Sequence, residues 1–304
     1  ERFRPGDSVT IRSDDIQAGF FVTVATVVAE EGNVRHLDRQ IEKTALLSEN
    51  GYVSTNFPVI SGYRCSDLSL KHIVVEGNKE HNSFVEGCRN GGIFLFEAQR
   101  VAIEACVVRN YNGDGISYQC CEDIEVRNCD CIGNGGKGIH PGSGTKRTVI
   151  AGCNAADNGL DGIFICWRVQ HSLVEHCTST GNGWSGLSIG HKDTHNVIRN
   201  NRFSDNRYYG VFFRNEPDPM GANYNVVEHN VIEDNGSDEM GYVGIRIRGY
   251  TREVDIRNNR ISFRKAPLNR TIGVCIEEHA RDIRLQHNDF DGCAAHTHSS
   301  WILD

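Results

Sequence analysis

An all-β solenoid, specifically a parallel β-helix, is the fold class that this sequence predicts, and three observations carry the prediction. Asn134, Asn158, Asn182 and Asn206 stand 24 residues apart, and a fixed period of that length marks stacked supersecondary units. Each asparagine is followed by a glycine (Gly138, Gly162, Gly186, Gly210) that opens an alternation of apolar and variable residues: Gly-Ile-His-Pro, Gly-Ile-Phe-Ile, Gly-Leu-Ser-Ile, Gly-Val-Phe-Phe. A period of two puts one set of side chains inside and the other on a surface. Finally, each repeat holds two or three short strands and no helical periodicity, which sets leucine-rich and helical solenoids aside.

Residues 1–66 lie outside the repeat and read as a β-rich N-terminal cap. Val9 to Ile11 and Phe20 to Val28 have strand character, and Arg39 to Leu47 reads as a short helix before the Asn50-Gly51 turn. A first rung exposes a sheet edge, so a covering element is expected there. The β-helix proper is assigned to residues 67–292, starting at Leu68 to Ile73. After Arg214 the period stretches to about 29 residues, with the extra length in Pro217 to Tyr224, Gly236 to Tyr242 and Arg264 to Arg270, expected as loops on one face. Residues 293–304 break the pattern and read as a C-terminal cover.

A solenoid contacts only its neighbours, so 304 residues need not divide into two domains. Nothing approaches the roughly 18 consecutive apolar residues of a membrane helix. The net charge of -8 with scattered Lys and Arg lacks the electrostatic footprint of a nucleic-acid binder. Homo-oligomerisation stays open, as does the compartment, with an exported location preferred. Of the twelve cysteines, Cys106, Cys129, Cys153 and Cys177 fall in register and continue as Asn201, Asn230, Asn259 and Asn288. The two residue types therefore share one interior slot, where thiols pack as small hydrophobes. No paired CxxC spacing points to zinc.

Chemistry must come from the outward positions. Just before the glycines stand Asp114, Lys137, Asp161, Ser185 and Tyr209. Two after them come Ser117, His140, Phe164, Ser188, Phe212 and Arg246, and four after them Gln119, Gly142, Cys166, Gly190, Arg214 and Arg248. Trp167, Arg168, His191, Lys192, Asp193 and Glu216 follow. Carboxylates, bases and aromatics along rungs about 4.8 Å apart suit an extended carbohydrate, with Trp167, Trp184, Tyr208 and Tyr209 as stacking platforms. Asp114 and Asp161, two rungs apart, form an acid and base pair at the separation of an inverting glycosidase, with Lys137 holding one ionised while burial raises the other. Asp193 and Glu216 offer further pairs. His140, His191, Lys192 and Arg214 supply a base and a cation, the requirements of β-elimination on a uronate.

The Gly-centred rungs and asparagine ladder resemble the right-handed parallel β-helices of the pectin lyase-like superfamily, which implies a single-stranded right-handed β-helix. The rungs Asp161 to Ile165, Gly186 to Gly190 and Gly210 to Arg214 resemble polygalacturonase-type hydrolases. That resemblance implies a catalytic role for Asp161 and a substrate-binding role for Arg214, while Gly162 and Ser185 stand where that family has aspartate and histidine. Lys192 and Arg214 also resemble the lysine and arginine of chondroitinase B and alginate lyase-type β-helices.

The expected function is glycosidic-bond hydrolysis of a polysaccharide or oligosaccharide. Catalysis is assigned to Asp161, Asp114, Glu216, His191 and Lys192, and substrate binding to His140, Trp167, Arg168, Trp184, Asp193, Tyr208, Arg214 and Arg246. A lyase or C5-epimerase, and a non-catalytic glycan-binding module, are the alternatives. No cofactor is required, and calcium remains compatible with the carboxylate-rich turns.

Overall fold

Strands whose apolar side chains alternate can bury one face by stacking equivalent turns. The computed structural model describes residues 3–14, 21–55, 58–85 and 87–299 and has this architecture: three parallel sheets of ten, nine and nine strands wound as a right-handed β-helix. One central turn runs through Ile163–Ile165 in sheet one, Leu173–Glu175 in sheet two and Thr178–Thr180 in sheet three. Leu187–Ile189 then re-enters sheet one. Successive turns pair residue on residue, Ile139 to Ile163, Ile163 to Leu187 and Leu187 to Val211.

The repeat becomes a set of interior columns. Ile93, Ile116, Ile139, Ile163, Leu187, Val211, Ile245 and Val274 are each 0% exposed, and burying such a side chain contributes roughly 1.5–3 kcal/mol. Between sheets two and three the chain bends at one left-handed residue per turn, as at Asn128, Gly152, His176, Asn200, His229 and Asn258. Asparagine and glycine suit that conformation best.

Polar groups at the corners are satisfied along the axis. Asn158 Nδ2 donates to Cys131 O and to Asn182 Oδ1, both at 3.0 Å, and Asn182 Nδ2 repeats this with Ala155 O and Asn206 Oδ1. The shared cysteine and asparagine slot is explicit: Cys177 Sγ donates to Ile150 O, and one rung on Asn201 Nδ2 donates to Val174 O. All twelve cysteines are free thiols.

Several expectations need correction. Residues 39–46 contain no helix, and a single 3-10 turn at Leu47–Glu49 ends at left-handed Asn50. The apolar residues there are too few to bury a helical face. The four strands Ser8–Arg12, Thr23–Glu31, Val34–Leu37 and Tyr52–Ser54 form an antiparallel sheet. This sheet lies against the outer face of the first turns, where Arg39 sits 4.9 Å over the Tyr63 ring and Arg12 Nη1 donates to Phe84 O. It does not pair with the first rung, whose edge carries no added strand among the described residues.

The parallel ladders also extend past 67–292, from Ile60–Tyr63 to Ala295–Ser299. Part of the segment read as a terminal cover is therefore a tenth strand of sheet one. The insertions occupy two corners: 217–224 joins sheets one and two, whereas 236–242 and 264–270 join sheets three and one. Phe20, within an expected strand, and residues 300–304, within the expected C-terminal cover, lie outside the described residues.

Candidate functional site

The outer face of sheet one gathers the expected residues, because parallel register stacks each sequence column into a physical one. The face is not an open surface. Residues 87–92 cross its first rungs, with Ser117 Oγ donating to Gly87 O at 3.1 Å. A Cβ on Gly87 would lie 1.9 Å from Asp114 Oδ2, so only glycine lets the loop come this close.

Beneath it Asp114 and His140 are wholly buried and joined by a 2.7 Å contact from Nδ1 to Oδ2. Asp114 Oδ1 accepts from the Lys137 amide. Burial alone would raise the Asp114 pKa, but the Lys137 charge and the His140 contacts outweigh it and hold the carboxyl below its usual range. Burial lowers His140, against the pull of Asp114. Asp114 is thus an ionised, closed-in partner of His140, and the expected Asp114 and Asp161 pair does not flank an open groove. His140 likewise presents no surface to a substrate.

Asp161 differs. It is also buried, but its Oδ1 accepts from the Ser185 amide at 3.1 Å, and Oδ2 has no hydrogen-bond partner among the described residues. Burial raises its pKa to about 6, opposed by that amide, Arg214 and Lys137. In the next column Phe164 is enclosed by cations, with Lys137 Nζ 4.9 Å and Arg214 4.4 Å from its ring centre and His140 edge-on at 5.0 Å. Those contacts let the face carry several cations away from bulk water.

Arg214 is the hub. Its guanidinium donates to Ser188 Oγ and Ile165 O and lies 3.4 Å from Asp193 Oδ2. Asp193 accepts from the Val169 and Gly190 amides. Burial lifts its pKa to about 7 against Arg214 and those amides. Asp193 therefore shapes the 190–193 turn and is not exposed to bind substrate.

A third group lies at the more open end. His191 Nδ1 is 3.1 Å from Cys166 Sγ, its Nε2 is 3.1 Å from Glu216 Oε2, and its ring stacks on Trp167 at 5.0 Å. Burial and the Arg214 charge lower His191 to about 4, while burial raises Glu216 against Arg214. Lys192 is exposed on the same turn, and its amide donates to Met220 O in the 217–224 insertion. Arg168 is exposed with φ 57°.

Trp184, 41% exposed, stacks on Tyr208 at 5.7 Å. Tyr209 is buried and accepts from Arg246 Nη1, and Arg246 is also paired with Glu277. Tyr209 is therefore not a platform, and Arg246 is engaged within the protein. Sequence reading assigned no chemical role to Cys166, Phe164 or Gly190. Their signal was their place in the outward columns, where a thiol, a ring and a missing side chain are each unusual.

A profile described as the right-handed β-helix region matches residues 71–219, and one described as the periplasmic copper-binding protein NosD matches 153–296. The chain is a right-handed parallel β-helix. This β-helix protein is similar in structure to an exopolygalacturonase from Thermotoga maritima. The exopolygalacturonase has TM-score 0.53 and 16% identity, covering 78% of this chain and 68% of that one. An alginate lyase from Paenibacillus sp. gives 0.52 and 10%, covering 74% and 79%.

The surface adhesin PfbA of Streptococcus pneumoniae gives 0.52 and 13%, covering 78% and 72%. At these identities the likeness is one of fold. No curated protein matches. Among the described residues of the β-helix protein, no three His, Cys, Asp or Glu side chains are grouped to hold a metal ion.

Proposed function

We propose that this β-helix protein is a carbohydrate-active enzyme that hydrolyses glycosidic bonds on the outer face of sheet one, with Asp161 as general acid. The observation that carries this reading is the environment of Asp161: a carboxyl raised to about 6, with Oδ2 unpartnered among the described residues, facing the charges of Arg214 and Lys137. A carboxyl that holds its proton toward neutral pH suits a general acid. Glu216, at the more open end of the same face, serves as the base. The Trp184 and Tyr208 stack supplies an exposed platform, since sugar CH faces pack on aromatic rings. Structural likeness to an exopolygalacturonase supports the class.

A second reading, β-elimination or C5 epimerisation of a uronate, is favoured by one observation. The His191 imidazole stays neutral at neutral pH beside the cations Arg214 and Lys192, which suits abstraction of a proton next to a carboxylate. The two readings separate on a panel of neutral and uronate polysaccharides. New reducing ends without ultraviolet absorbance, reduced on the order of 100-fold or more in Asp161→Asn, are expected for hydrolysis. Absorbance from an unsaturated sugar that survives Asp161→Asn and disappears in His191→Ala would replace hydrolysis with elimination.

A further inference from the structure

The contact of Cys166 with His191 is absorbed by neither reading, and it has the form of a nucleophile held on a base. Cys166 Sγ lies 3.1 Å from His191 Nδ1, and His191 Nε2 lies 3.1 Å from Glu216 Oε2. An ionised carboxylate only accepts hydrogen bonds, so Glu216 fixes the imidazole proton on Nε2 and leaves Nδ1 as an acceptor facing the thiol. Nucleophile, base and orienting carboxylate in that order define an activated nucleophile whatever the fold.

Two neighbours complete the set. Cys166 stands in its outward column between Gly142 and Gly190, so neither adjacent rung covers it with a side chain. Two rungs from Cys166, Arg214 Nε is buried without a hydrogen-bond partner among the described residues, 3.6 Å from Glu216 Oε1. A Cβ on Gly190 would lie 2.8 Å from that Nε and 2.7 Å from Glu216 Oε1. The missing side chain is thus what leaves Arg214 Nε and Glu216 facing the Cys166 rung.

We propose that Cys166, His191 and Glu216 form a nucleophilic triad that hydrolyses carboxylic esters, with Arg214 Nε–H donating to the developing oxyanion. Cys166 Sγ attacks the ester carbonyl carbon as its proton passes to His191 Nδ1, forming the S–C bond. The tetrahedral adduct expels the alcohol oxygen, which takes the proton from Nδ1, and the C–O bond breaks. Water, deprotonated by Nδ1, attacks the thioester carbonyl, the S–C bond breaks, and the thiol regains its proton. The products are an alcohol and a carboxylic acid, with no net oxidation or reduction.

Burial holds the thiol up at about 12 although Arg214 opposes it, so Cys166 is no standing thiolate and needs His191 within the step. Glu216 acts through His191 and is a positioning residue.

The activity is separate from glycan cleavage and is read on p-nitrophenyl acetate, a probe without a sugar. The wild type is expected to turn the probe over and, on acid quenching, to carry an acetyl group on the peptide containing Cys166. Cys166→Ala should lose at least about 100-fold, while Cys166→Ser, which keeps shape and hydrogen bonding, should melt like wild type and retain part of the rate. Glu216→Gln should lower kcat at unchanged KM, a split that general loosening of the fold would not give. Cys120→Ala, at the exposed cysteine, should leave turnover unchanged. Acetyl found on Cys120 alone, or undiminished turnover in Cys166→Ala, would overturn the proposal.

Discussion

At the scale of single residues, this face is governed by how far burial moves each charge. Asp161 is raised to about 6 from 3.8, so its protonated form is favoured by folding. The associated stability is fully present below the unfolded pKa and is lost as pH rises through about 6, by on the order of 3 kcal/mol at most. Asp161→Asn keeps an oxygen for the Ser185 amide and removes the titration. The variant should therefore gain stability relative to wild type between pH 4 and pH 7, measured as the difference in Tm across that range. A constant difference would mean that Asp161 titrates as an ordinary carboxylate. His191, lowered to about 4 by burial and Arg214, has the opposite sign: it contributes stability above its unfolded pKa that is lost as pH falls through about 4. The net slope thus measures which group dominates.

At the scale of elements, the ladders make each rung depend on a few side chains. Asn182 accepts from the Asn158 amide and side chain and donates to Ala155 O and Asn206 Oδ1. Truncation in Asn182→Ala strands several buried polar groups, each worth about 1–3 kcal/mol, and should cost roughly 3 kcal/mol or more in a denaturant titration. By contrast Cys177→Asn installs, one rung earlier, the amide that Asn201 already carries in the same slot. Equilibrium unfolding should show a change within about 1 kcal/mol. A large loss there would mean that the slot narrows toward the cysteine rungs. Gly190→Ala tests the other kind of dependence, since its Cβ would press on Arg214 and Glu216. It is expected to reduce ester turnover more than it reduces Tm.

For the whole molecule, stability is close to a sum of rungs and their contacts with neighbours. Central turns bury both the interior and most of the sheet-one face. The first sheet-two strand, Ser66–Lys71, and the last, Arg281–Gln286, are largely exposed. Hydrogen exchange should therefore protect peptides from 139–213 longest and those from 60–76 and 281–299 least. Uniform protection would argue that the β-helix opens as one unit. The N-terminal sheet and the loop over Asp114 both lie on the outer face of the first rungs, so access to sheet one is more restricted at that end.

The repeat of 24 and then about 29 residues determined the β-helix, its interior columns and the shared slot of Cys177 and Asn201, because stacking turns repeats one local environment and periodicity records it directly. It also placed Asp161, Arg214 and His191 on one face, since parallel register converts sequence columns into spatial ones. Which of those residues remain reachable was decided only by the tertiary structure. Asp114 and His140 are closed over by a loop that approaches through Gly87, and no period relates that loop to the rung beneath it. The corner assignment of the 217–224 insertion was likewise hidden, because length alone does not say where a turn widens. The contact from Cys166 through His191 to Glu216 depends on side-chain directions at three corners and on the space left by Gly190. Non-local geometry of that kind has no signature in spacing, and it determines which groups on this face can act together.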